Sequence, residues 1–171
     1  MTHEGQVLLP DAQATLDLGK RLGALLREGD VVALVGALGA GKTHLVRGVA
    51  QGMGLDPQQV SSPTFVLMQE YSPEDDAASG ALTLVHIDAY RLSGADEFAA
   101  VLWGDDGDEL RRQAVVVIEW ADLIEAALDD DVLWIELDHH ANGRLLRWTL
   151  RGAWRQRGDA LMQCLEGFFK S

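Results

Sequence analysis

The residues from Gly36 to Thr43 have the types and the spacing that phosphate chemistry requires. They read Gly-Ala-Leu-Gly-Ala-Gly-Lys-Thr, which fills the pattern of glycine, four residues and Gly-Lys-Thr without a mismatch. Glycines let the backbone curl so that successive N–H groups face one concavity, which can receive phosphate oxygens. We expect Lys42 to be a solvent-accessible charge that reaches the β- and γ-phosphates, and Thr43 to offer its hydroxyl to Mg²⁺. The octamer therefore predicts the phosphate-binding loop of a protein that binds a nucleoside triphosphate.

The segments on either side of this loop supply the context that the motif needs. Val31–Val35 is a short apolar run, which is typical of a buried parallel strand. After the loop, apolar residues recur at helical spacing from Leu45 to Met53, so the sequence predicts a helix over Lys42–Met53. The N-terminus of that helix would point at the phosphates. A chance glycine-rich turn is the alternative interpretation, and the complete octamer between a strand and a helix argues against it.

Two further apolar runs end in a carboxylate. Leu82–Asp88 and Val115–Glu119 both read as strands, and in open α/β sheets ligands bind at the carboxyl ends of the strands. Asp88 and Glu119 could hold Mg²⁺ there and orient or deprotonate an attacking water. A single acidic residue after a strand is usually a cap or turn residue. Two of them in a small domain that also has a phosphate loop favour a functional role.

The remaining pattern predicts an α/β fold. Phe65–Tyr71 would pair with Leu82–Asp88 as an antiparallel hairpin, because the polar and acidic connection over Ser72–Gly80 is too short for a crossover helix. The other predicted elements are a helix from Pro10 to about Glu28 capped by Asp11, a second hairpin made of Val132–Leu137 and Arg144–Arg151, a helix around Glu97, Phe98, Trp103 and Leu110, and a closing helix over Asp159–Phe169. We therefore expect a single P-loop NTPase-like domain over residues 1–171, with a mixed parallel and antiparallel sheet flanked by helices.

Some polar side chains outside the loop have two interpretations. Thr64 lies in a segment where nucleotide-hydrolysing proteins often sense the nucleotide, so it could meet the γ-phosphate or the metal. A plain Ser/Pro turn over Ser61–Thr64 fits the spacing equally well. His86 lies inside an apolar strand, and we expect a hydrogen-bonded core histidine. Adjacent His139 and His140 could bind a metal, but in a hairpin loop without a second cluster they are more often solvated.

The composition argues against several classes of protein. The net charge of −13, from 27 acidic and 14 basic residues, disfavours tight direct binding of nucleic acid, because that affinity depends on Lys and Arg neutralising phosphates. Arginines at 111, 112 and between 144 and 157 could form a local basic face, although a solvated strand with alternating charge is the simpler interpretation. No apolar run approaches the ~20 residues of a membrane span, and the start of the chain does not resemble a secretory signal. The single cysteine, Cys164, fits a reducing cytoplasm and a core position in the last helix.

Several motifs occur together in an order that is specific to one family. They are LPDAQATLDLG (residues 9–19), GALGAGKTHLVRG (36–48), VSSPTFVL (60–67), HIDAYRL (86–92), VIEW (117–120) and NGR (142–144). On these motifs the chain resembles the bacterial TsaE (YjeE) family, the ATPases of tRNA threonylcarbamoyladenosine biosynthesis. Ala37 stands where that family commonly has Asp, and His44 where it commonly has Thr. Neither change removes an obligatory phosphate or Mg²⁺ ligand, so turnover could differ while nucleotide binding is retained.

The resemblance implies a role for each of the candidate residues. The phosphates would be held by Lys42 and by the N–H groups of Gly39, Ala40, Gly41, Lys42, Thr43 and His44. Thr43 and Glu119 would coordinate Mg²⁺, and Asp88 would act as the general base or as an outer-sphere metal ligand. Lys42, Asp88 and Glu119 would thus be the catalytic residues. The base and ribose would be bordered by the segment from Ala12 to Thr15 together with Gly143 and Arg144.

The resemblance also implies partners and an activity. The family acts with the TsaD carbamoyl-transfer subunit and its dimer mate TsaB, and it supports the threonylcarbamoyl modification of adenosine 37 in tRNAs that read codons beginning with A. The chain would then be a cytoplasmic ATPase that depends on Mg²⁺, is slow alone and is stimulated by these partners. A small P-loop kinase that phosphorylates a metabolite is the alternative. Such kinases often carry an arginine-rich lid, which the sequence around Arg91 does not supply. The guanine-binding sequence Asn-Lys-x-Asp is absent, which favours ATP over GTP.

Overall fold

One mixed sheet organises the part of the chain that the computed structural model describes, which comprises residues 3–63, 67–74, 80, 82–102 and 107–169. Its strands in that part are β1 (Glu4–Leu9), β2 (Val31–Val35), β3 (Met68–Tyr71), β4 (Thr83–Asp88), β5 (Ala114–Glu119), β6 (Val132–His140) and β7 (Gly143–Leu150). Their order across the sheet is β1-β7-β6-β2-β5-β4-β3. The four central strands β6, β2, β5 and β4 are parallel, while β7, β1 and β3 pair antiparallel with their neighbours. The predicted fold class is therefore confirmed.

Helices cover both faces of this sheet. The helices in the described residues are α1 (Ala12–Leu25), α2 (Lys42–Gly52), α3 (Ala95–Leu102), α4 (Gly107–Gln113) and α5 (Gly158–Leu165), and 3₁₀ segments occupy Pro57–Gln59, Ala121–Ala127 and Gly152–Arg157. Apolar residues of α1, α2 and α5 form one core cluster with the sheet. Apolar residues of α3 and of the segment Ala121–Ala127 form a second cluster on the other face.

The parallel strands are apolar because both of their faces are covered. β5 reads Ala-Val-Val-Val-Ile-Glu and is buried at every residue, and β2 is buried along nearly all of its length. The parallel strands end at one edge of the sheet, where Asp88 at the end of β4 is the register partner of Glu119 at the end of β5. The two strand-end carboxylates thus lie side by side, at the edge where β2 leads into the glycine-rich loop.

The outer strands return the chain to that same edge. β6 and β7 form the predicted second hairpin, but β6 continues as far as His140 because Ala141 adopts a left-handed conformation (φ 48°) that allows a tight turn. Since β7 is antiparallel to β6, it begins at the carboxyl edge of the parallel strands. β1, which pairs with β7, is an element that the sequence pattern does not predict. Only Val7 and Leu9 of this edge strand are buried, so it has little apolar alternation to indicate it.

Helices α1 and α2 cross in close contact beside the loop. The Asp11 carboxylate caps α1 by accepting a hydrogen bond from the Ala14 N–H at 2.8 Å, as its position before the helix predicts. A Cβ atom at Gly19 of α1 would lie 2.4 Å from the Leu45 carbonyl oxygen of α2, so the crossing depends on glycine there. This close approach brings the start of α1 next to the loop that precedes α2.

Three of the remaining predictions differ from the structure in detail. The first helix ends at Leu25 rather than at about Glu28, because Leu26 is extended. The closing helix ends earlier than predicted, at Leu165, because Glu166 is extended and Gly167 has a φ of 98°. The helix predicted around Glu97 is found as the two helices α3 and α4, and Trp103 lies outside the described residues. In the described ranges, no helix has both the length and the apolar character that crossing a membrane would require.

Candidate functional site

The glycine-rich loop joins β2 to α2, as the motif predicts. At Gly36, a Cβ atom would lie 2.4 Å from the Leu137 carbonyl oxygen of β6, so the loop can leave the sheet here only as glycine. Gly41 is the N-cap residue of α2 in a left-handed conformation (φ 104°), and no side chain caps the helix. The first N–H groups of this 11-residue helix therefore face the space in front of it, where an anion is favoured.

Lys42 is buried, which corrects the expectation of a solvent-accessible side chain. Its exposed fraction is 5%, and its Nζ donates to the carbonyl oxygens of Gly36 at 2.6 Å and of Ala37 at 2.9 Å. Nζ also lies 4.3 Å from the centroid of the Trp120 ring, which is a cation–π contact. Burial lowers the pKa of Lys42, and nearby carboxylates, led by Glu119, oppose that shift. The ammonium group is thus folded back on its own loop beneath an aromatic ring.

A chain of hydrogen bonds crosses from the loop to the edge of the sheet. The Thr43 hydroxyl donates to Oε1 of Glu119 at 3.0 Å, which joins the first turn of α2 to the end of β5. The other carboxylate oxygen, Oε2, lies 2.9 Å from Nε2 of His86, a fully buried residue of β4. Hydroxyl and carboxylate oxygens are the kind of donor that Mg²⁺ prefers in proteins. The structure therefore brings together the two predicted metal ligands.

The hydrogen-bonding role of His86 follows from its two nitrogens. A carboxylate oxygen accepts hydrogen bonds, so the tautomer of His86 that carries a hydrogen on Nε2 donates to Glu119. Nδ1 is buried and has no hydrogen-bond partner among the described residues. The expected core histidine is confirmed, and it also holds Glu119 in place.

Sequence analysis did not connect His86 with the site, although a signal was available. Residues two apart in a strand point to the same face of the sheet, so His86 and Asp88 project together from β4. Their shared face is the one that α2 covers, since Leu84 of the same strand belongs to the core cluster that contains α2. The pairing with Glu119 itself depends on the alignment of β4 with β5, which the sequence does not reveal.

Asp88 is held by the turn that follows β4. Its Oδ1 accepts a hydrogen bond from the Tyr90 N–H at 2.9 Å, and its Oδ2 accepts one from the Ser62 hydroxyl at 3.4 Å. The carboxylate is buried beside the cavity. Ser62 belongs to the predicted nucleotide-sensing segment, which is thereby brought to the site, while Thr64 of that segment lies outside the described residues.

An aromatic pair stands at the mouth of the site. The ring centroids of Tyr90 and Trp120 are 4.8 Å apart. Trp120 directly follows Glu119 and has φ 58° and ψ 36°, a left-handed conformation that is strained for a bulky residue. Tyr90 is 57% exposed, so the pair reaches from the Lys42 ammonium group to solvent.

The loop, the carboxylates and the aromatic pair open into one cavity. Its volume is about 390 Å³, which is within the range of small-molecule sites in proteins. The lining residues are Leu38, Gly39, Gly41, Lys42, Thr43, His44, Ser62, Asp88, Tyr90, Glu119 and Trp120.

The residues predicted to border the base and ribose lie around the loop, outside this lining. Ala12 is exposed at the start of α1. Thr15 is buried, and its hydroxyl donates to the Asp11 carbonyl at 3.4 Å. Arg144 donates from Nε to the Ala40 carbonyl oxygen at 2.9 Å, so it contacts the outer side of the loop. The contact of these residues with the base and ribose stays a prediction.

Ion pairs balance most of the arginines between residues 144 and 157, so they do not form a basic face. The pairs are Arg147 with Glu136 and Asp138, Arg151 with Glu125, and Arg157 with Asp30. His139 and His140 are exposed, as expected for solvated side chains. Within the described residues, no group of three or more His, Cys, Asp or Glu side chains is arranged to hold a metal ion.

The mixed sheet with a phosphate loop at its carboxyl edge defines an α/β protein with a P-loop NTPase-like fold. The crystal structure of Bacillus subtilis YdiB has the same fold, with a TM-score of 0.71 and 28% sequence identity over 95% of this chain and 97% of that chain. The sequence model of the family described as threonylcarbamoyl adenosine biosynthesis protein TsaE matches residues 9–146. The chain belongs to this family, as its motifs indicate.

Relatives from distant bacteria agree with this assignment. The tRNA threonylcarbamoyladenosine biosynthesis protein TsaE of Mycobacterium tuberculosis is 37% identical over 153 residues, which cover 87% of this chain and 89% of that protein. The protein of the same description from Treponema pallidum is 39% identical over 134 residues, which cover 77% of this chain and 90% of that protein.

Proposed function

We propose that the chain is a Mg²⁺-dependent ATPase that supports the threonylcarbamoyl modification of adenosine 37 in tRNAs reading codons that start with A. It would act through the TsaB–TsaD complex and would not form the modified base itself. Its reaction is the transfer of the γ-phosphoryl group of ATP to water, which gives ADP and inorganic phosphate. The observation that carries the proposal is the convergence of Lys42, Thr43 and Glu119 on one cavity.

The loop supports phosphate binding through both geometry and charge. The uncapped start of α2 presents N–H groups to the cavity, and Lys42 lines the same cavity. Phosphate oxygens would give Lys42 charged acceptors in place of the neutral carbonyls of Gly36 and Ala37. An anion beside this buried ammonium would also offset the burial that now lowers its pKa.

Thr43 and Glu119 fit a magnesium ion that is also coordinated by phosphate oxygens. Mg²⁺ is commonly bound by one or two protein oxygens together with phosphates and water, rather than by a cage of side chains. Thr43 and Glu119 supply two such oxygens, and the described chain offers no larger cluster of ligands. When bound, the ion would neutralise charge that develops on the phosphate oxygens.

The surroundings of Asp88 support a role for its carboxylate in orienting or deprotonating the attacking water. Its carboxylate lines the cavity beside Glu119, and hydrogen bonds from Ser62 and from the Tyr90 N–H fix its orientation. We infer that it accepts a proton from the water or holds a water that is bound to the metal. Lys42 stabilises the charge on the transferred group in either case.

The mouth of the site supports action through a protein partner. Leu38 at the tip of the loop is 86% exposed and Tyr90 is 57% exposed, and both line the cavity. Apolar side chains that stay in solvent beside a site often become buried when another protein binds. A site that is open on this side would also leave part of a bound nucleotide in contact with bulk water, which weakens electrostatic stabilisation. Slow hydrolysis by the isolated chain and faster hydrolysis in the complex are therefore expected.

Phosphate release tests this proposal directly. The rate of phosphate release from ATP is measured for the chain alone and for the chain with purified TsaB and TsaD. Each of these two samples is then measured again with excess chelator in place of Mg²⁺. We expect slow release alone, a faster rate with the partners and none above background with the chelator. An unchanged rate on adding the partners would contradict the proposed mode of action. Rapid transfer of phosphate from ATP to a small metabolite would instead indicate a kinase.

A further inference from the structure

Arg144 holds the outer side of the phosphate loop from a distant strand. Its Nε donates to the Ala40 carbonyl oxygen at 2.9 Å and its Nη2 to the Gly39 carbonyl oxygen at 3.2 Å. Its Nη1 donates to the carbonyl oxygen of Gly143 at 2.8 Å. All three guanidinium nitrogens are thus used on backbone carbonyls, and two of these carbonyls belong to the loop.

The fold delivers Arg144 to the loop through the hairpin of β6 and β7. Arg144 lies at the start of β7, opposite His139 of β6 and opposite Leu9 of β1. β1 approaches β7 so closely that only glycine fits at position 143, because a Cβ atom there would lie 2.2 Å from the Leu9 carbonyl oxygen. The guanidinium group is therefore anchored on a paired strand between two neighbours, which is a rigid base for a contact with a loop.

The geometry of the peptide group gives this contact a consequence for phosphate binding. In a trans peptide, the carbonyl of one residue and the N–H of the next point in opposite directions. A bond from Arg144 to the Ala40 carbonyl therefore turns the Gly41 N–H away from the guanidinium group. Gly41 lines the cavity and Arg144 does not, so this N–H is directed to the side where phosphate would bind.

The peptide group between Gly39 and Ala40 is held by hydrogen bonds at both its carbonyl oxygen and its N–H group. Arg144 holds the Gly39 carbonyl, and the N–H of Ala40 in the same peptide donates to the Ala37 carbonyl at 3.0 Å. Glycine at 39 and 41, with φ of 76° and 104°, would otherwise leave these peptides free to rotate. Because glycine carries the largest conformational freedom, an external contact is needed to hold one orientation.

We propose that Arg144 is a positioning residue that braces the phosphate loop, keeping the Gly41 N–H aimed at the bound phosphates. The proposal rests on the proposed function of this loop. It differs from a contact with the base or ribose, because the brace acts only on the phosphate portion of a nucleotide. The proposed brace also differs from simple attraction of an anion by a positive charge, because it requires a planar guanidinium group that reaches both the Gly39 and the Ala40 carbonyl oxygens.

The test compares ATP with inorganic tripolyphosphate, which has the phosphates without base or ribose. Binding of both is measured calorimetrically without Mg²⁺, for the full chain and for Arg144→Lys. Lysine keeps the charge but cannot hold the two carbonyls in one fixed geometry. We expect affinity to fall by about tenfold for both ligands, as for loss of one hydrogen bond to a charged group. An equal loss for the two ligands is the signature of the brace.

Arg147→Lys is the matched control, since Arg147 is on the same strand and pairs with Glu136 and Asp138. It should bind both ligands as the parent does. Thermal unfolding of each variant shows whether a loss of binding reflects a loss of fold. If Arg144→Lys does not fold, Arg144→Gln is measured instead at low and at high salt. Loss of the brace should lower the affinity for both ligands equally at either salt concentration, whereas a loss caused by the missing charge is screened by high salt.

The outcomes separate this inference from the proposed function. If the parent chain binds neither ATP nor tripolyphosphate, with or without Mg²⁺, the proposed function is wrong. If the parent binds both and Arg144→Lys binds both equally well, the brace alone is overturned. A loss that affects ATP but leaves tripolyphosphate unchanged would also overturn it, and would assign Arg144 to the base or ribose.

Discussion

Lys42 is the residue on which nucleotide binding is expected to depend most, through its ammonium group. It lies under Trp120, and its hydrogen-bond acceptors within the described residues are the carbonyl oxygens of Gly36 and Ala37. A phosphate would supply a charged acceptor in place of these neutral carbonyls. Loss of the lysine should therefore affect binding far more than it affects the fold.

Lys42→Ala is expected to weaken ATP binding by about tenfold to a hundredfold, because a charge-assisted hydrogen bond contributes about 1.5–3 kcal/mol. The variant should unfold at nearly the parental temperature, since a buried charge without an ionic partner adds little to stability. Nucleotide titration and thermal unfolding check the two halves of this prediction. Lys20→Ala, at an exposed position of α1, is the control. Hydrolysis at the parental rate by Lys42→Ala would show that the loop is assigned wrongly.

The two strand-end carboxylates are expected to have separate roles. Glu119 is joined to the Thr43 hydroxyl, so Glu119→Ala should reduce the effect of Mg²⁺ on nucleotide binding. Asp88→Asn should keep nucleotide binding and its Mg²⁺ dependence but lower turnover, because an amide does not accept the proton from water. Binding titrations with and without Mg²⁺ are made on both variants, with turnover measured alongside. Equal Mg²⁺ sensitivity in the two variants would contradict this division.

His86 is expected to support stability as well as the site. Its removal in His86→Ala would leave the buried Oε2 of Glu119 without its donor and open a space in the core. We expect a loss of about 3 kcal/mol in the free energy of unfolding, which is typical for breaking a buried polar pair. Denaturant unfolding measures this loss. His86→Gln can still donate a hydrogen bond to Glu119 and should recover part of the lost stability. If it recovers none, the loss in His86→Ala comes from the space left in the core rather than from the missing hydrogen bond.

At the scale of elements, local pattern was enough for the loop and its two neighbours. β2, the octamer and α2 follow one another in the chain. The apolar run predicts β2, the spacing of the glycines predicts the loop, and the helical period of the apolar residues predicts α2. The hairpin of β3 and β4 was also predictable, because its connection is too short for a crossover helix. β1 was not predictable, since its pairing with β7 joins opposite ends of the chain and it buries few side chains.

The contacts that complete the site depend on the alignment of elements far apart in sequence. Strand register sets the Glu119 carboxylate beside His86, and the β6–β7 hairpin sets Arg144 against Ala40. The motif identifies Lys42 as a phosphate ligand but does not predict that its side chain is buried. Trp120, in the turn after β5, covers the ammonium group. The sequence could therefore name the residues of the site while leaving their mutual support unknown.

The turn after β5 is the element expected to connect the site to a partner. Trp120 touches Lys42 on one side and Tyr90 on the other, and its left-handed backbone is a strained conformation of the kind found at functional sites. Trp120→Ala should impair stimulation of ATP hydrolysis by TsaB–TsaD more than it weakens ATP binding. Phosphate release with and without the partners is compared with a nucleotide titration. Trp120→Phe keeps an aromatic ring and should retain more stimulation; equal losses of stimulation and of binding in Trp120→Ala would contradict a role in communication.

At the scale of the whole molecule, apolar packing and site chemistry occupy different regions. α5 packs on α1 and contributes to the larger core cluster, and none of its residues lines the cavity. The net charge of the chain is −13, and Arg144 is engaged with the backbone of the loop. This charge balance favours the proposed action through other proteins over direct binding of tRNA.

Cys164 of α5 allows a prediction about the whole fold, because its reactivity reports unfolding. Burial raises the pKa of its thiol to about 11, so about one thiol in a thousand is ionised at pH 8 in the folded chain. An unfolded chain has an ordinary thiol with a pKa of about 8.5, of which about a quarter is ionised at that pH. Since the thiolate is the reactive form, labelling by iodoacetamide should be slow in the native protein and fast in denaturant.

The same shift predicts how stability changes with pH. Below about pH 7 the thiol is almost fully protonated in both states, so Cys164 adds almost no pH dependence there. As pH rises from there toward about 11, the unfolded chain loses the proton first and is favoured, so stability should fall across this range. Denaturant unfolding at several alkaline pH values measures the fall, and Cys164→Ala should reduce it. Rapid labelling of the native chain at pH 8, or an identical alkaline profile for Cys164→Ala, would show that the thiol is not buried in α5.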